Sequence, residues 1–353
     1  MVLVIGISAL KYISIGNGSK DSLGEIIEVI FNAQAMTFSQ LTKYDNDRIF
    51  SNGRGARTLM KNQFPYQLKR QKPSTLAGAT AIVTGGGRGL GHHLCMHLAG
   101  MGAHVAVADI NAAGAADTVS RITAGGGSAD AHVFDVADKQ ACNECVRAVA
   151  SLRGRIDLLF ANAGMVAIGE FGDVSSQSFR RVMDVNFFGQ LNMAEAVYPV
   201  MRTQKQGRIV FISSIAGLAF QPLTASYSAS KHALVGLACT IFPDAAANGI
   251  SVHIACPGYI DDTGIFDSAE GFGYSPLKTR DILLRKIGGF IKPGAAARKI
   301  ISQVLRNRFL IVFPFNAKLL GALFRLMPET TVRCSRFLVR LVLPAKVNNT
   351  EHS

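Results

Sequence analysis

Short apolar runs alternate with helical stretches through the middle of the chain, and this alternation predicts an α/β fold. Each run has the length and the content of β-branched or aromatic residues expected of a buried strand. The predicted strands are residues 79–83, 105–108, 131–134, 158–160, 209–212, 250–255 and 309–313. Helices are predicted from the end of the first glycine-rich loop to residue 99, over 175–203 and over 295–305. We expect a doubly wound parallel sheet, in which ligands bind at the carboxyl ends of the strands.

The first predicted strand runs into a glycine-rich loop, Thr84–Gly91, and the loop runs into a helix. Glycines let a backbone approach a pyrophosphate closely, and the first amides of a helix point at such an anion. The order of strand, loop and helix therefore predicts a dinucleotide site. The contacts expected in this loop are Thr84, Gly85, Arg88, Gly89, Leu90 and Gly91.

Asp109 ends the second predicted strand, 24 residues after Gly85, near the separation of about 20 residues expected of a ribose-binding acid. A carboxylate there accepts hydrogen bonds from the 2′-hydroxyl of NAD and repels the 2′-phosphate of NADP. Arg88 favours the opposite choice, because a guanidinium beside the loop can hold a 2′-phosphate. We expect NAD, with NADP possible; the alternative for Asp109 is a plain surface aspartate.

Tyr227 and Lys231 are four residues apart, which places them one above the other on a helix face. A tyrosine ordinarily has a pKa of about 10, and a nearby ammonium lowers that pKa by favouring the phenolate. The pair is therefore suited to exchange a proton with an alcohol or carbonyl oxygen. Ser214, after the strand at 209–212, offers a hydroxyl to the same oxygen. Alone, the pair is better explained by chance spacing on a surface helix, and it is the glycine loop upstream that favours the catalytic interpretation.

Small and polar residues follow two other predicted strands, at the edge where ligands bind in such sheets. They are Asp135-Val136 after the third strand and Asn162-Ala163-Gly164 after the fourth. Small residues there let a cofactor lie close to the backbone.

Taken together, Thr84–Gly91, the Asn162-Ala163-Gly164 turn, Ser214, and Tyr227 with Lys231 resemble the short-chain dehydrogenase/reductase family. The resemblance covers about residues 76–315 and implies one Rossmann-fold domain that holds both the cofactor and the substrate. It implies that the members form homo-oligomers.

The family resemblance also implies individual roles. Asn162 and Gly164 support the central strands beside the cofactor, with Ala163 between them, and Asp135, followed by Val136, meets the adenine end. Pro257 and Gly258 cover the nicotinamide carboxamide.

The implied catalytic tetrad is Asn186, Ser214, Tyr227 and Lys231. In it Ser214 polarises the substrate oxygen and Tyr227 exchanges its proton. Lys231 assists Tyr227 and holds the nicotinamide ribose, while Asn186 holds a water. From the residues alone, Asn186 is equally well a polar residue that bends its helix or bonds to backbone.

Three places depart from the family pattern or lie beside it. The threonine that usually follows the proline by five residues falls one residue later here, at Thr263, because Asp262 occupies its place. Pro243 should kink its helix. The glycine-rich stretch 264–276 is expected to be a mobile loop over the substrate.

The six cysteines have no spacing that suggests a disulfide framework or a zinc site, so we expect no metal and a reducing, cytoplasmic compartment. Cys142 and Cys145 form a C-x-x-C pair in a probable helix, where packing is the expected role.

The net charge of +13 is concentrated in the C-terminal part of the 353-residue chain, since residues 281–353 carry 13 Lys or Arg and only 3 Asp or Glu. We divide the chain into an N-terminal extension (1–75), partly disordered, a Rossmann domain (76–315) and a basic helical tail (316–353). In the extension, 22–41 is a possible helix and 42–75 reads mostly as a linker.

The tail is predicted to form helices at 318–326 and 332–343. In the second, an apolar stripe (Cys334, Phe337, Leu338, Leu341) is flanked by Arg333, Arg336 and Arg340. Such a helix can lie on a membrane surface or pack on the enzyme or a second subunit. Nucleic acid is not expected, because the tail has no Tyr or Trp for base stacking. We expect a cytoplasmic protein that can be peripheral on a membrane.

Together with the family resemblance, these features predict an oxidoreductase that transfers a hydride between a nicotinamide and a hydroxyl or ketone of a hydrophobic substrate. The resemblance, to members with long apolar or basic tails, implies a small lipid-, steroid- or retinoid-like molecule. An NADPH-dependent 3-ketosphinganine-type or 3-oxoacyl reductase is the nearer alternative. A non-catalytic, NAD-binding scaffold is the alternative of another class.

Overall fold

Parallel strands form the core of the protein, which we describe from a computed structural model over residues 75–261, 265, 270–271 and 290–334. The strands are β1 (Thr80–Thr84), β2 (His104–Asp109), β3 (Ser128–Val133), β4 (Leu158–Ala161), β5 (Ala167–Ile168), β6 (Gly207–Ile212), β7 (Ile250–Pro257), β8 (Glu270–Gly271) and β9 (Leu310–Phe313). Seven of them pair in the order β3-β2-β1-β4-β6-β7-β9, all parallel, and β5 pairs with β8. The predicted doubly wound sheet is confirmed. The strand order reverses between β1 and β4, which is where such sheets open a ligand crevice.

Helices cover both faces of the sheet. They are α1 (Gly89–Gly100), α2 (Ala112–Ala124), α3 (Lys139–Arg153), α4 (Ser176–Met183), α5 (Gly189–Gln204), α6 (Ala225–Ala247), α7 (Pro293–Leu305) and α8 (Phe315–Leu326). Two apolar layers result, one on each side of the strands. In β1, β4 and β7 every residue is buried, because both faces of these strands are covered.

The predicted helix at 175–203 is interrupted in the structure by one turn of π-helix, Asp184–Phe188, between α4 and α5. A π-turn adds a residue to the helical repeat and is common at functional sites. This turn contains Asn186. Pro243 lies inside α6, which continues to Ala247.

The third strand was predicted three residues too late, at 131–134 rather than Ser128–Val133. β3 is at the edge of the sheet and half of its residues are exposed, so it lacks a continuous apolar run. Its register is set instead by pairing with β2 and by polar side chains: His104 Nδ1 lies 2.8 Å from Ser128 Oγ, and both His104 and His132 bond to Asp130.

Cys142 and Cys145 are buried in α3, so the packing role predicted for this pair is confirmed. Within the described ranges, no group of three or more His, Cys, Asp or Glu side chains is arranged to hold a metal ion.

The basic tail begins with α8, close to the predicted helix at 318–326, and residues 328–334 are also helical. None of the helices in the part of the chain described has the length and apolar content needed to cross a bilayer. Several predicted features lie outside the described residues. They are the N-terminal extension (1–75) as far as residue 74, Thr263, most of the loop at 264–276, and the tail helix beyond residue 334.

His253 on β7 should make the fold sensitive to acid. Burial lowers the pKa of His253 to about 4, with Arg208 lowering it further, although a 2.8 Å contact between Nδ1 and the Arg308 carbonyl raises it. The folded state therefore keeps this ring neutral, and the resulting stability is complete above the ordinary pKa of 6.5 and is lost as pH falls towards 4.

The free energy of unfolding should accordingly fall by about 3 kcal/mol from this residue between neutral pH and pH ~4. Urea unfolding of wild type and His253→Asn at both pH values measures the difference. His232→Asn, at an exposed site on α6, should retain the wild-type loss; an equal loss in His253→Asn would contradict the assignment.

Candidate active site

A cavity of about 380 Å³ opens at the carboxyl ends of β1, β4, β6 and β7. Most of the residues predicted from sequence line it: Gly85, Arg88, Leu90, Gly91, Asp109, Asp135, Val136, Asn162, Ala163, Gly164, Ser214, Tyr227, Lys231, Pro257 and Gly258. Thr84, Gly89 and Asn186 are the predicted residues outside that lining. The glycine loop and the tyrosine–lysine pair, 136 or more residues apart in the chain, therefore share one cleft.

The glycine loop is shaped by two constraints on its backbone. Gly85 has a φ of +63°, a left-handed conformation that disfavours other residues. A Cβ at Gly91 would lie 1.9 Å from the Gly85 carbonyl oxygen, so a side chain cannot be fitted there. The loop therefore closes tightly onto the first turn of α1, whose residues Leu90 and Gly91 line the cavity.

Thr84 and Asn162 join β1 to β4 at the point where the strand order reverses. Thr84 Oγ1 accepts hydrogen bonds from the backbone amides of Asn162 (2.9 Å) and Ala163 (3.0 Å). In return, Asn162 Nδ2 donates to the carbonyl oxygens of Thr84 (2.9 Å) and Gly85 (3.2 Å). Thr84 thus lies behind the cavity and fixes its wall.

Asp109 lies at the rim with its carboxylate already oriented. Its Oδ2 accepts from the Gly87 amide at 2.8 Å and its Oδ1 accepts from the Asn111 amide at 2.9 Å. These bonds leave lone pairs on both oxygens for a ribose hydroxyl. An elongated cavity with a glycine loop, helix amides and a fixed acid is the donor and acceptor set that a nicotinamide dinucleotide needs, so the residues present fit this cofactor.

Arg181 is a lining residue that sequence reasoning missed. From α4 its guanidinium donates to Asp135 Oδ2 at 2.6 Å, and both side chains are partly exposed to the cavity. Arg181 and Asp135 are 46 residues apart, and neither spacing nor periodicity links them. The carboxylate expected at the adenine end is therefore held by a cation.

Lys231 is almost completely buried, and burial lowers its pKa to about 7. Its Nζ donates to the Ile212 carbonyl at 2.9 Å and lies 5.5 Å from the centre of the Tyr227 ring. The sequence predicted the pairing of Tyr227 with Lys231 but not the burial of the Lys231 side chain. The charged ammonium therefore predominates below about pH 7, and its share declines as pH rises.

Ser214 is brought beside this pair by the end of β6. Its Oγ accepts from the Ala216 amide at 3.2 Å and caps a short 3-10 turn, Ile215–Gly217. The neighbouring Ser213, which sequence reasoning did not single out, donates from Oγ to the Lys231 carbonyl at 2.9 Å.

Asn186 is fully buried in the π-turn. Its side chain bonds chiefly to backbone, as considered above beside its implied role in the tetrad. Its Oδ1 accepts from the Met165 amide at 2.8 Å, and its Nδ2 donates to the Met165 carbonyl (2.9 Å) and Ser230 Oγ (3.0 Å). A Cβ at Gly164 would lie 3.3 Å from Asn186 Oδ1 and 3.6 Å from Lys231 Nζ, so only glycine separates the two side chains.

Comparison with known proteins gives one consistent family. A family model for short chain dehydrogenases matches residues 79–271. The ketoacyl reductase HetN of Nostoc sp. is 27% identical over 270 residues, which are 75% of this chain and 90% of that protein. A 3-oxoacyl-[acyl-carrier-protein] reductase of Synechocystis sp. is 32% identical over 205 residues, 58% of this chain and 81% of that protein. A crystal structure of a dehydrogenase/reductase from Sinorhizobium meliloti 1021 matches with a TM-score of 0.61 at 29% identity, over 69% of this chain and 97% of that one.

Gly91→Ala should disrupt the loop, because the new methyl group would overlap the Gly85 oxygen. We expect the free energy of unfolding to fall by about 1–3 kcal/mol and the affinity for NADH to fall with it. Chemical unfolding and calorimetric titration measure the two effects.

Gly236→Ala is the matched control, since an added Cβ at this exposed position on α6 meets nothing within 4 Å. It should stabilise the helix by up to about 1 kcal/mol and leave NADH binding unchanged. Unaltered binding by Gly91→Ala would show that the loop tolerates a side chain.

Proposed function

The chain belongs to the short chain dehydrogenase family, and from this premise we propose that it is an NAD(H)-preferring enzyme that interconverts a hydroxyl and a ketone on a hydrophobic substrate. Members of the family are NAD(P)-dependent oxidoreductases that act on CH–OH or keto groups. The observation that carries the proposal is that Ser214, Tyr227, Lys231 and the glycine loop line one cavity.

In the proposed reaction the bound nicotinamide supplies or accepts the hydride at the substrate carbon. The protein acts on the substrate oxygen. In ketone reduction, the Tyr227 hydroxyl gives its proton to that oxygen as the carbon gains the hydride, and an alcohol results; oxidation is the reverse.

Lys231 stabilises the negative charge that remains on the Tyr227 oxygen. Its Nζ lies 5.5 Å from the centre of the Tyr227 ring and is held in place by the Ile212 carbonyl. Ser214 hydrogen-bonds the same substrate oxygen and fixes its distance from Tyr227. In a cleft with little water these charges interact more strongly than at the surface.

The preference for NAD(H) rests on Asp109. Its position, fixed by the Gly87 and Asn111 amides, suits a ribose hydroxyl and opposes a 2′-phosphate. Arg88 lines the same cavity and is the feature that would favour NADP(H). We weigh Asp109 more heavily because two backbone bonds hold its carboxylate in place.

The hydrophobic substrate is supported by the cavity wall beyond Ser214 and Tyr227. Met165, Val166, Ile215, Tyr259 and Ile265 line it, with Gln221 as a polar neighbour. A keto group on a long apolar chain suits such a wall, and the names of two relatives refer to ketoacyl and 3-oxoacyl substrates. An NADPH-dependent 3-oxoacyl reductase is therefore the second candidate.

Tyr227→Phe should bind NADH as the wild type does and lose turnover by on the order of 10²–10⁴-fold, because only the proton donor is removed. The measurements are calorimetric NADH titration and a cofactor-coupled assay on long-chain 3-keto lipids, steroids and retinol. Tyr198→Phe, on α5, should retain full turnover. Undiminished turnover in Tyr227→Phe would refute the assignment.

We also propose that α8 lies against an anionic membrane surface. The face with Ala317, Gly321 and Phe324 packs on the enzyme: Gly321 lies on Ile215 and Leu218, and Phe324 contacts the Phe220 ring edge-on at 5.4 Å between centroids. The helix therefore lies beside the cavity wall, which includes Ile215.

The opposite face of α8 is apolar and exposed. Phe315, Leu319 and Leu326, spaced i, i+4 and i+11 on one side of the helix, are 73%, 40% and 64% exposed. Lys318 and Arg325 flank this side and suit phosphate headgroups. One apolar side of α8 is covered by the enzyme, so its other apolar side favours contact with a further apolar partner. If that partner is a lipid surface, a hydrophobic substrate would reach the protein beside the cavity.

Co-sedimentation with vesicles that contain phosphatidylserine tests this second proposal. Wild type should bind, and the double variant Leu319→Glu/Leu326→Glu should lose most of the binding while keeping its turnover. Leu152→Glu, at a leucine on α3 that is 72% exposed, is the matched control. Equal binding by the double variant would exclude α8 as the contact.

A further inference from the structure

Thr118 is a fully buried hydroxyl in an otherwise apolar stripe of α2, between Ala115 and Ile122. Its Oγ1 lies 3.0 Å from the Gly86 carbonyl oxygen and 2.8 Å from His92 Nδ1. A carbonyl oxygen only accepts, so the single hydroxyl hydrogen of Thr118 goes to Gly86. His92 must then donate from Nδ1–H to Thr118. A chain of two hydrogen bonds thus leads from α1 through α2 to the glycine loop.

The Gly86–Gly87 peptide is held at both ends. Its carbonyl oxygen is bonded to Thr118, and its N–H donates to Asp109 Oδ2 at 2.8 Å. The Gly86 amide is bonded in turn to the Ala108 carbonyl at 3.0 Å. Because one rigid plane carries both the carbonyl and the N–H, rotation of this peptide would move the partner of the Asp109 carboxylate.

We propose that Thr118, oriented by His92, is a positioning residue that fixes the Gly86–Gly87 peptide and through it the Asp109 carboxylate, and so sets the preference of the cavity for NADH over NADPH. This inference rests on the proposed function, since it assumes that the cavity takes a nicotinamide dinucleotide. It adds a determinant that lies behind the loop and is not itself part of the cavity lining.

Thr118→Val keeps the shape of the side chain and removes the hydroxyl, leaving the Gly86 carbonyl without this donor. We expect the Kd for NADH to rise about tenfold, as loss of one buried hydrogen bond implies. The Kd for NADPH should change less. The ratio of the Kd for NADPH to the Kd for NADH should therefore fall. Thr118→Ser, which restores the hydroxyl, should recover both values.

Thr123→Val is the matched control, because Thr123 is an exposed threonine on the same helix whose hydroxyl bonds only to helix carbonyls among the contacts described. It should bind both nucleotides as the wild type does. An unchanged Kd ratio in a folded Thr118→Val, or failure of Thr118→Ser to recover it, would overturn the inference. If the wild type itself bound neither nucleotide, the proposed function would fail instead.

The tautomer of His92 gives a test that needs no variant of Thr118 to fold. Burial lowers the pKa of His92, as do His93 and Arg121, while Asp117 raises it, so the ring is neutral above its ordinary pKa. Nitrogen-15 spectra of histidine-labelled protein, with His92 assigned through His92→Gln, should show the proton on Nδ1. If the proton were on Nε2, His92 Nδ1 could not donate to Thr118, and the inference would be overturned.

Discussion

The structure depends on the hydrogen bonds that close the backbone where β1 and β4 end. Beyond its last paired residue, each strand has amides and carbonyls without a neighbouring strand, and a buried group left unpaired costs about 1–3 kcal/mol. Thr84 and Asn162 supply four bonds at this point, two from a hydroxyl that accepts and two from an amide that donates. This part of the crevice wall is therefore held together without a ligand.

Burial of Lys231 is the constraint on the other side of the cavity. The low-dielectric surroundings would strengthen the proposed effect of Lys231 on Tyr227, but they disfavour the ammonium charge and lower the pKa of Lys231 to about 7. One carbonyl, from Ile212, receives both Lys231 Nζ and Gln190 Nε2. Among the residues that the structure describes, the ammonium is thus held by a backbone dipole and not by a buried carboxylate.

The sequence was sufficient for the sheet and for most of the cavity because both rest on local patterns. Buried parallel strands read as continuous apolar runs, and the glycine loop needs a fixed order of residues. The edge strand β3, with its polar His104–Asp130–His132 contacts, has no such pattern. Arg181 and Thr118 could not be found either, since each acts through a partner 46 or 32 residues away that only the folded chain brings close. The four-residue spacing of Tyr227 and Lys231 likewise gave no indication that Lys231 is buried.

These contacts divide the site into a rigid part and an open part. Ser213 bonds to the Lys231 carbonyl, and a Cβ at Gly217 would lie 2.4 Å from Ser213 Oγ, so the end of β6 and the first turns of α6 are packed as one piece. This piece carries both Ser214 and Tyr227. The open part is the stretch of wall that includes Val166, Ile215 and Ile265, which presents apolar side chains to the cavity. Under the proposed function, we expect substrate selectivity to arise in this apolar stretch of the wall.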